Sequence, residues 1–182
     1  MSELPSGTVT FLFTDIEGST KLWEQYPEEM KAALAKHDSI LKEAIESNHG
    51  HIIKTTGDGV HAVFAAAVDA AKSATDAQEK FQELLGELKI NIRAGLHSGE
   101  AELRNGDYYG SVLNRAARLM SVAHGGQILI TNATAELIRE QLPVHISLRD
   151  LGEHRLKDLT RPEHIHQLKH EVVLNLTRCS IC

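Results

Sequence analysis

The sequence predicts an α+β sandwich: a ferredoxin-like βαββαβ core, extended by extra helices and strands. Three observations point there. Short β-rich apolar runs alternate with long stretches of helical periodicity. The runs His51–Thr56 and Val60–Phe64 are joined only by Gly57-Asp58-Gly59, the signature of a hairpin. An alanine-rich helical stretch, Ala66–Leu85, then separates that hairpin from the strand-like Ile90–Leu96. In such a core the first two strands run parallel with the third between them.

Each element has a local reason. Val9, Phe11 and Phe13 anchor the first strand, and Lys21–Tyr26 reads as a short helix. Pro27 suits the first position of a longer helix, whose Met30, Ala33, Leu34, His37, Leu41, Ala44 and Ile45 recur at helical spacing up to Gly50. His37 reads as a core-edge residue and Trp23 as core or interface. In the alanine-rich helix, Val68, Ala71, Ala74, Phe81 and Leu85 form the packing face. Beyond the core, Glu100–Tyr108 reads as a second hairpin turning at Asn105-Gly106, followed by a helix over Ser111–Ala123. That helix packs Val112, Ala116, Leu119, Met120 and Ala123 and leaves Asn114 and Arg118 one turn apart on its other face. Gln127–Ile130, a helix over Ala133–Gln141, and strands near Val144–Leu148 and His164–Leu168 complete the layer.

The chain of 182 residues suits one domain, expected over 7–170 with tails at 1–6 and 171–182. A net charge of -6 argues against nucleic acid as the main partner. No apolar run reaches the length needed to span a bilayer, and none reads as a signal peptide. The cysteines, Cys179 and Cys182, form no disulfide framework, so the cytoplasm is the expected compartment. They spell a C-x-x-C pair or a poor prenylation box, and an unstructured tail is the expected reading. The eleven histidines, His164 and His166 among them, show no metal-site spacing.

The chemistry concentrates in Phe13-Thr14-Asp15-Ile16-Glu17-Gly18-Ser19-Thr20. Here a carboxylate emerges where a strand ends, and a Gly-Ser-Thr turn follows that suits a helix N-cap and a phosphate. If the first two strands are parallel, Asp15 and Asp58 become neighbours at one end of the sheet, where two carboxylates can share a metal pair.

Taken together, four ordered motifs resemble the class III adenylyl and guanylyl cyclase catalytic domain. They are the opening motif, Lys54-Thr55-Thr56-Gly57-Asp58-Gly59, Gly95-Leu96-His97-Ser98-Gly99, and Asp107 to Asn114 followed by Arg118. The resemblance implies two Mg²⁺ or Mn²⁺ ions held by Asp15, Asp58 and the backbone carbonyl of Ile16. It implies purine reading by Lys54 and Asp107, ribose orientation by Asn114 and transition-state stabilisation by Arg118. Gly18, Ser19 and Thr20 would contact the substrate, and Lys157 resembles a loop lysine that grips the triphosphate.

The implied assembly is a homodimer with composite sites, and the implied reaction makes cyclic AMP and pyrophosphate from ATP. A lysine only donates and an aspartate only accepts, which suits adenine, although a shifted guanine could satisfy the same pair. A cyclase of other specificity, for GTP or a pyrimidine nucleotide, and a catalytically silent nucleotide-binding or dimerisation module are the alternatives.

Overall fold

A computed structural model describes residues 3–84 and 88–171. Leu85 and the Cys179/Cys182 tail lie outside them. The elements run β1 (Gly7–Ile16), α1 (Ser19–Gln25), α2 (Pro27–Ser47), β2 (His51–Thr56), β3 (Gly59–Phe64), α3 (Ala67–Glu83), β4 (Ile92–Arg104), β5 (Asp107–Tyr109), α4 (Ser111–Val122), β6 (Ile128–Thr131), α5 (Asn132–Ile138), β7 (Ile146–His154) and β8 (Glu163–His170). The strands form one sheet in the order β2-β3-β1-β4-β6-β8-β7, with β5 paired to β4. β3 lies antiparallel to both β1 and β2, so β1 and β2 are parallel with β3 between them, as the sequence predicts.

β1 is central and buried on both faces. Its Leu12 and Ile16 join the larger core under α2, α3 and α5, while Val9, Phe11 and Phe13 pack against Val112 and Ala116 of α4. Fully burying a side chain of this size contributes about 1.5–3 kcal/mol, so α4 is firmly seated through Val112 and Leu119. Phe11 also meets Tyr108 edge-on at 5.3 Å, and the Tyr108 hydroxyl donates to the Pro5 carbonyl at 2.5 Å.

Two glycines set close approaches. A Cβ on Gly95 would lie 2.6 Å from the Met120 nitrogen, so the helix rests directly on β4 there. A Cβ on Gly59 would lie 2.7 Å from the Thr14 carbonyl oxygen, so the hairpin closes onto the end of β1.

Four expectations shift. The strand expected over Ile90–Leu96 and the hairpin strand beginning at Glu100 are one strand of 13 residues, because β1 pairs with it continuously from Gly7↔Ala101 to Ile16↔Ile92. The hairpin turn is as predicted, with Asn105 and Gly106 both at positive φ. Ser19 and Thr20 do not cap α1: Gly18, at φ 68°, holds the cap position, and the two hydroxyl residues occupy the first turn. His37 is fully buried rather than at the core edge. β7 and β8 each run longer than expected because they pair with each other from Ile146↔His170 to His154↔Glu163.

Candidate active site

The end of β1 brings the first two candidate residues together. Thr14 pairs with Val60, and Asp58 sits two residues before Val60 in the turn that begins β3. Gly57, at φ 66°, makes that turn possible. Asp15 and Asp58 therefore occupy adjacent segments at one end of the sheet, both half-buried. Their carboxylates, like the Ile16 carbonyl that follows Asp15, offer oxygen donors, the chemistry that suits a hard divalent cation.

Asp15 is also ion-paired. Arg93, directly opposite it in the β1–β4 ladder, donates from Nε at 3.0 Å and from Nη2 at 2.5 Å, both to Oδ2. A third guanidinium bond, from Nη1, reaches the Ser121 carbonyl of α4 at 3.2 Å. One arginine thus ties Asp15 to the helix carrying Asn114 and Arg118. The sequence reading passed over Arg93. Its signal was a lone cation inside an otherwise apolar strand beginning, where an unpaired charge is costly.

The remaining candidates stand outward. Asn114 is exposed on α4, and Arg118, one turn on, pairs through Nη2 with Asp158 at 2.5 Å. Asp158 lies in the loop between β7 and β8 at φ 62°, a left-handed conformation that Asp tolerates better than most residues. Lys157, its neighbour, is exposed. Arg115, also on α4, forms an ion pair with Glu163 at the start of β8.

Lys54 is exposed on β2, opposite His61 in the ladder. His61 stacks on Phe13 at 3.7 Å, and burial, with Lys54 adding to it, lowers its pKa below 6.5. Asp107 is exposed at the start of β5, and its Oδ1 accepts the Tyr108 N–H at 2.9 Å. Among the described residues, no hydrogen bond or ion pair joins Lys54, Asp107 and Asn114 to one another or to Asp15 and Asp58. The single chain assembles the two carboxylates and presents the other groups to its surroundings. Gly18 and Thr20 are exposed beside them and Ser19 is half-buried, with no side chain capping the first turn of α1.

Behind the site runs a buried polar ladder. Thr10 and Ser98 hydroxyls meet at 2.8 Å, Ser98 and Thr134 at 2.9 Å, and His97 Nδ1 and Thr131 Oγ1 at 2.7 Å. Burial, helped by the Arg115 charge, lowers the His97 pKa to about 4, so the ring is neutral at pH 7.

The sequence pattern of the adenylate and guanylate cyclase catalytic domain matches residues 1–170. The chain belongs to that family. It is similar to an uncharacterized protein of Mycobacterium tuberculosis, 44% identical over 169 residues, covering 91% of this chain and 57% of that protein. The chain thus spans little more than half the length of such a relative. Among solved structures it resembles an adenylate cyclase of Trypanosoma brucei in its monomeric state, with TM-score 0.83 and 28% identity over 96% of this chain and 93% of the other. It also resembles the adenylyl cyclase CyaB of P. aeruginosa, with TM-score 0.76 and 25% identity over 93% of this chain and 97% of the other. Among the described residues no helix is long and apolar enough to cross a membrane.

Proposed function

We propose that residues 7–170 form an adenylate cyclase domain that converts ATP to 3′,5′-cyclic AMP and pyrophosphate at the interface of a homodimer. The observation that carries this reading is the juxtaposition of Asp15 and Asp58 at the end of β1, in a chain of this family whose Asn114 and Arg118 stand on an exposed helix face. Asp15, Asp58 and the Ile16 carbonyl would hold two Mg²⁺ or Mn²⁺ ions. Bound there, such cations supply a lowered pKa for the attacking hydroxyl and charge neutralisation for the phosphates.

The protein's own groups do the rest. Asn114 orients the ribose so that its 3′-oxygen lies in line with the α-phosphorus. Arg118 offers its planar fork to the oxygens on which charge accumulates as the bond to pyrophosphate breaks. Lys157, together with the N–H groups of Gly18, Ser19 and Thr20, grips the triphosphate. Arg93 adds a second cation beside Asp15, where phosphate oxygens arrive. Lys54 donates to adenine N1, and Asp107 accepts from the exocyclic amine.

The homodimer reading is supported by the absence, among the described residues, of any hydrogen bond or ion pair that joins Lys54, Asp107 and Asn114 to Asp15 and Asp58. Asp15 and Asp58 from one copy would meet Lys54, Asp107, Asn114 and Arg118 from the other, giving two sites per pair. The cytoplasm, where nucleoside triphosphates are available, is the compartment this reading places it in.

The test is direct. Purified protein with Mn²⁺ is given ATP, GTP, CTP and UTP separately, and the products are identified by mass spectrometry. Cyclic AMP from ATP, in excess of any other cyclic nucleotide, is the expected result. Cyclic GMP as the main product would move the reading to guanylate cyclase, and no cyclic product at any protein concentration would end it.

A further inference from the structure

On the opposite face of the sheet from α4 and Asp15, three side chains converge that the cyclase reading does not use. Asp150 of β7 pairs directly with His166 of β8, and His164, two residues earlier on β8, projects from the same face. One ligating atom from each of the three lies within 4.8 Å of the others. The imidazoles of His164 and His166 stack at 4.9 Å and 14°.

The surroundings preorganise the group. A bulge between Asp150 and Gly152 turns the Asp150 carboxylate, and the Gly152 N–H fixes Oδ1 at 2.7 Å. The same Oδ1 accepts from His164 Nε2 at 2.7 Å. His166 is buried, and its Nε2 meets the Asn132 side-chain oxygen at 3.1 Å. An amide oxygen only accepts, so Nε2 donates and the lone pair of His166 is left on Nδ1. Metal-ligating histidines are held this way, with the other N–H given to a carbonyl.

We propose that Asp150, His164 and His166 form a transition-metal site, separate from the Asp15/Asp58 corner, that takes Zn²⁺ or a similar borderline divalent ion. Two imidazoles and one carboxylate suit Zn²⁺, Co²⁺ or Ni²⁺ and disfavour Mg²⁺, which prefers oxygen donors alone. On binding, the ion takes the place of the proton between His164 Nε2 and Asp150 Oδ1, and the neutral ring carries its one proton on Nδ1 instead. The site clamps β7 to β8 at the base of the loop that carries Lys157 and Asp158. It rests on strand register and side-chain geometry, independently of whether the domain makes a cyclic nucleotide.

The experiment uses the full chain with Cys179→Ser and Cys182→Ser, so that thiols add nothing, in excess Mg²⁺ to fill oxygen-only sites. Co²⁺ is added, and the visible d–d spectrum and the metal retained after dialysis are measured. One equivalent per chain is expected, with His164→Ala and Asp150→Asn each weakening binding by about a hundredfold or more. Zn²⁺ is also expected to raise the thermal midpoint of the parent protein and not of His164→Ala, which separates loss of the site from loss of the fold. No retained Co²⁺ in the parent, unchanged affinity in either variant, or loss of the Co²⁺ on Asp15→Ala would overturn the proposal.

Discussion

The end of β1 and the outer face of α4 each hold an arginine and an aspartate, and they hold them differently. Arg93 and Asp15 face each other in a continuous ladder, with only 26% and 23% of their side chains exposed. Arg118 and Asp158 meet at the surface, 40% and 59% exposed, with the aspartate supplied by a loop. The first pair joins two residues that the strand register sets side by side, and a further bond from Arg93 to the Ser121 carbonyl holds its guanidinium there. The second is a contact that an arriving phosphate or a second chain can displace at small cost, since exposed pairs are worth about 0–1 kcal/mol. Asp15 is therefore held within the sheet of the single chain, while Arg118 is held only by an exposed contact with a loop.

The strongest way to break this division is to disable one region per chain. Asp58→Ala and Arg118→Ala are each expected to lower activity by about a hundredfold or more. Mixing the two inactive proteins puts both lesions into one site of each mixed dimer and leaves the other whole. Free exchange makes half the dimers mixed, so about a quarter of wild-type activity should return. Activity of the mixture, followed after exchange has been verified with labelled chains, decides the matter. No recovery would mean that each chain carries its own complete site.

The seam between the two regions is probed by pH. His97, on β4 beneath α4, has a folded pKa of about 4 against 6.5 for an ordinary imidazole. Between those values the unfolded chain binds the proton and the folded chain does not, so stability is full above pH 6.5 and falls as the pH drops towards 4. The group alone makes that loss about 3 kcal/mol. Urea unfolding at pH 7 and pH 4.5 should show it, and His97→Gln should flatten that part of the profile.

Base selectivity tests the exposed region by itself. Asp107 only accepts, whereas an amide in its place offers both a donor and an acceptor. Asp107→Asn is expected to narrow the preference for ATP over GTP by about tenfold, read as the ratio of kcat/KM values, while leaving the thermal midpoint in place. An unchanged ratio would remove Asp107 from base recognition.

The same contrast explains what was legible beforehand. Local spacing carried the hairpin of β2 and β3 and the packed face of α4, and the order of strands and helices along the chain carried the parallel relation of β1 and β2. That relation alone put Asp15 beside Asp58. The partners of the charges were hidden: Arg93 lies 78 residues from Asp15 and Asp158 lies 40 from Arg118, and only strand register and loop geometry bring them together. The single long β4 was hidden for a similar reason: only its register against β1, from Gly7↔Ala101 to Ile16↔Ile92, joins the strand expected over Ile90–Leu96 to the one expected from Glu100.

Asp158→Asn gives the smallest effect and the finest test of a helix-borne arginine held only by an exposed contact. Both partners are substantially exposed, so the ion pair contributes at most about 1 kcal/mol and its loss should scarcely move the unfolding midpoint. The same bound limits the kinetics. If Asp158 competes with phosphate for the Arg118 guanidinium, releasing Arg118 raises kcat by no more than about fivefold, the rate equivalent of 1 kcal/mol. KM for ATP should stay within about twofold, because Arg118 is assigned to the transition state rather than to ground-state binding. A kcat that instead falls, with KM unchanged, would show that Asp158 aims Arg118 at the substrate, and the loop between β7 and β8 would then belong to the site.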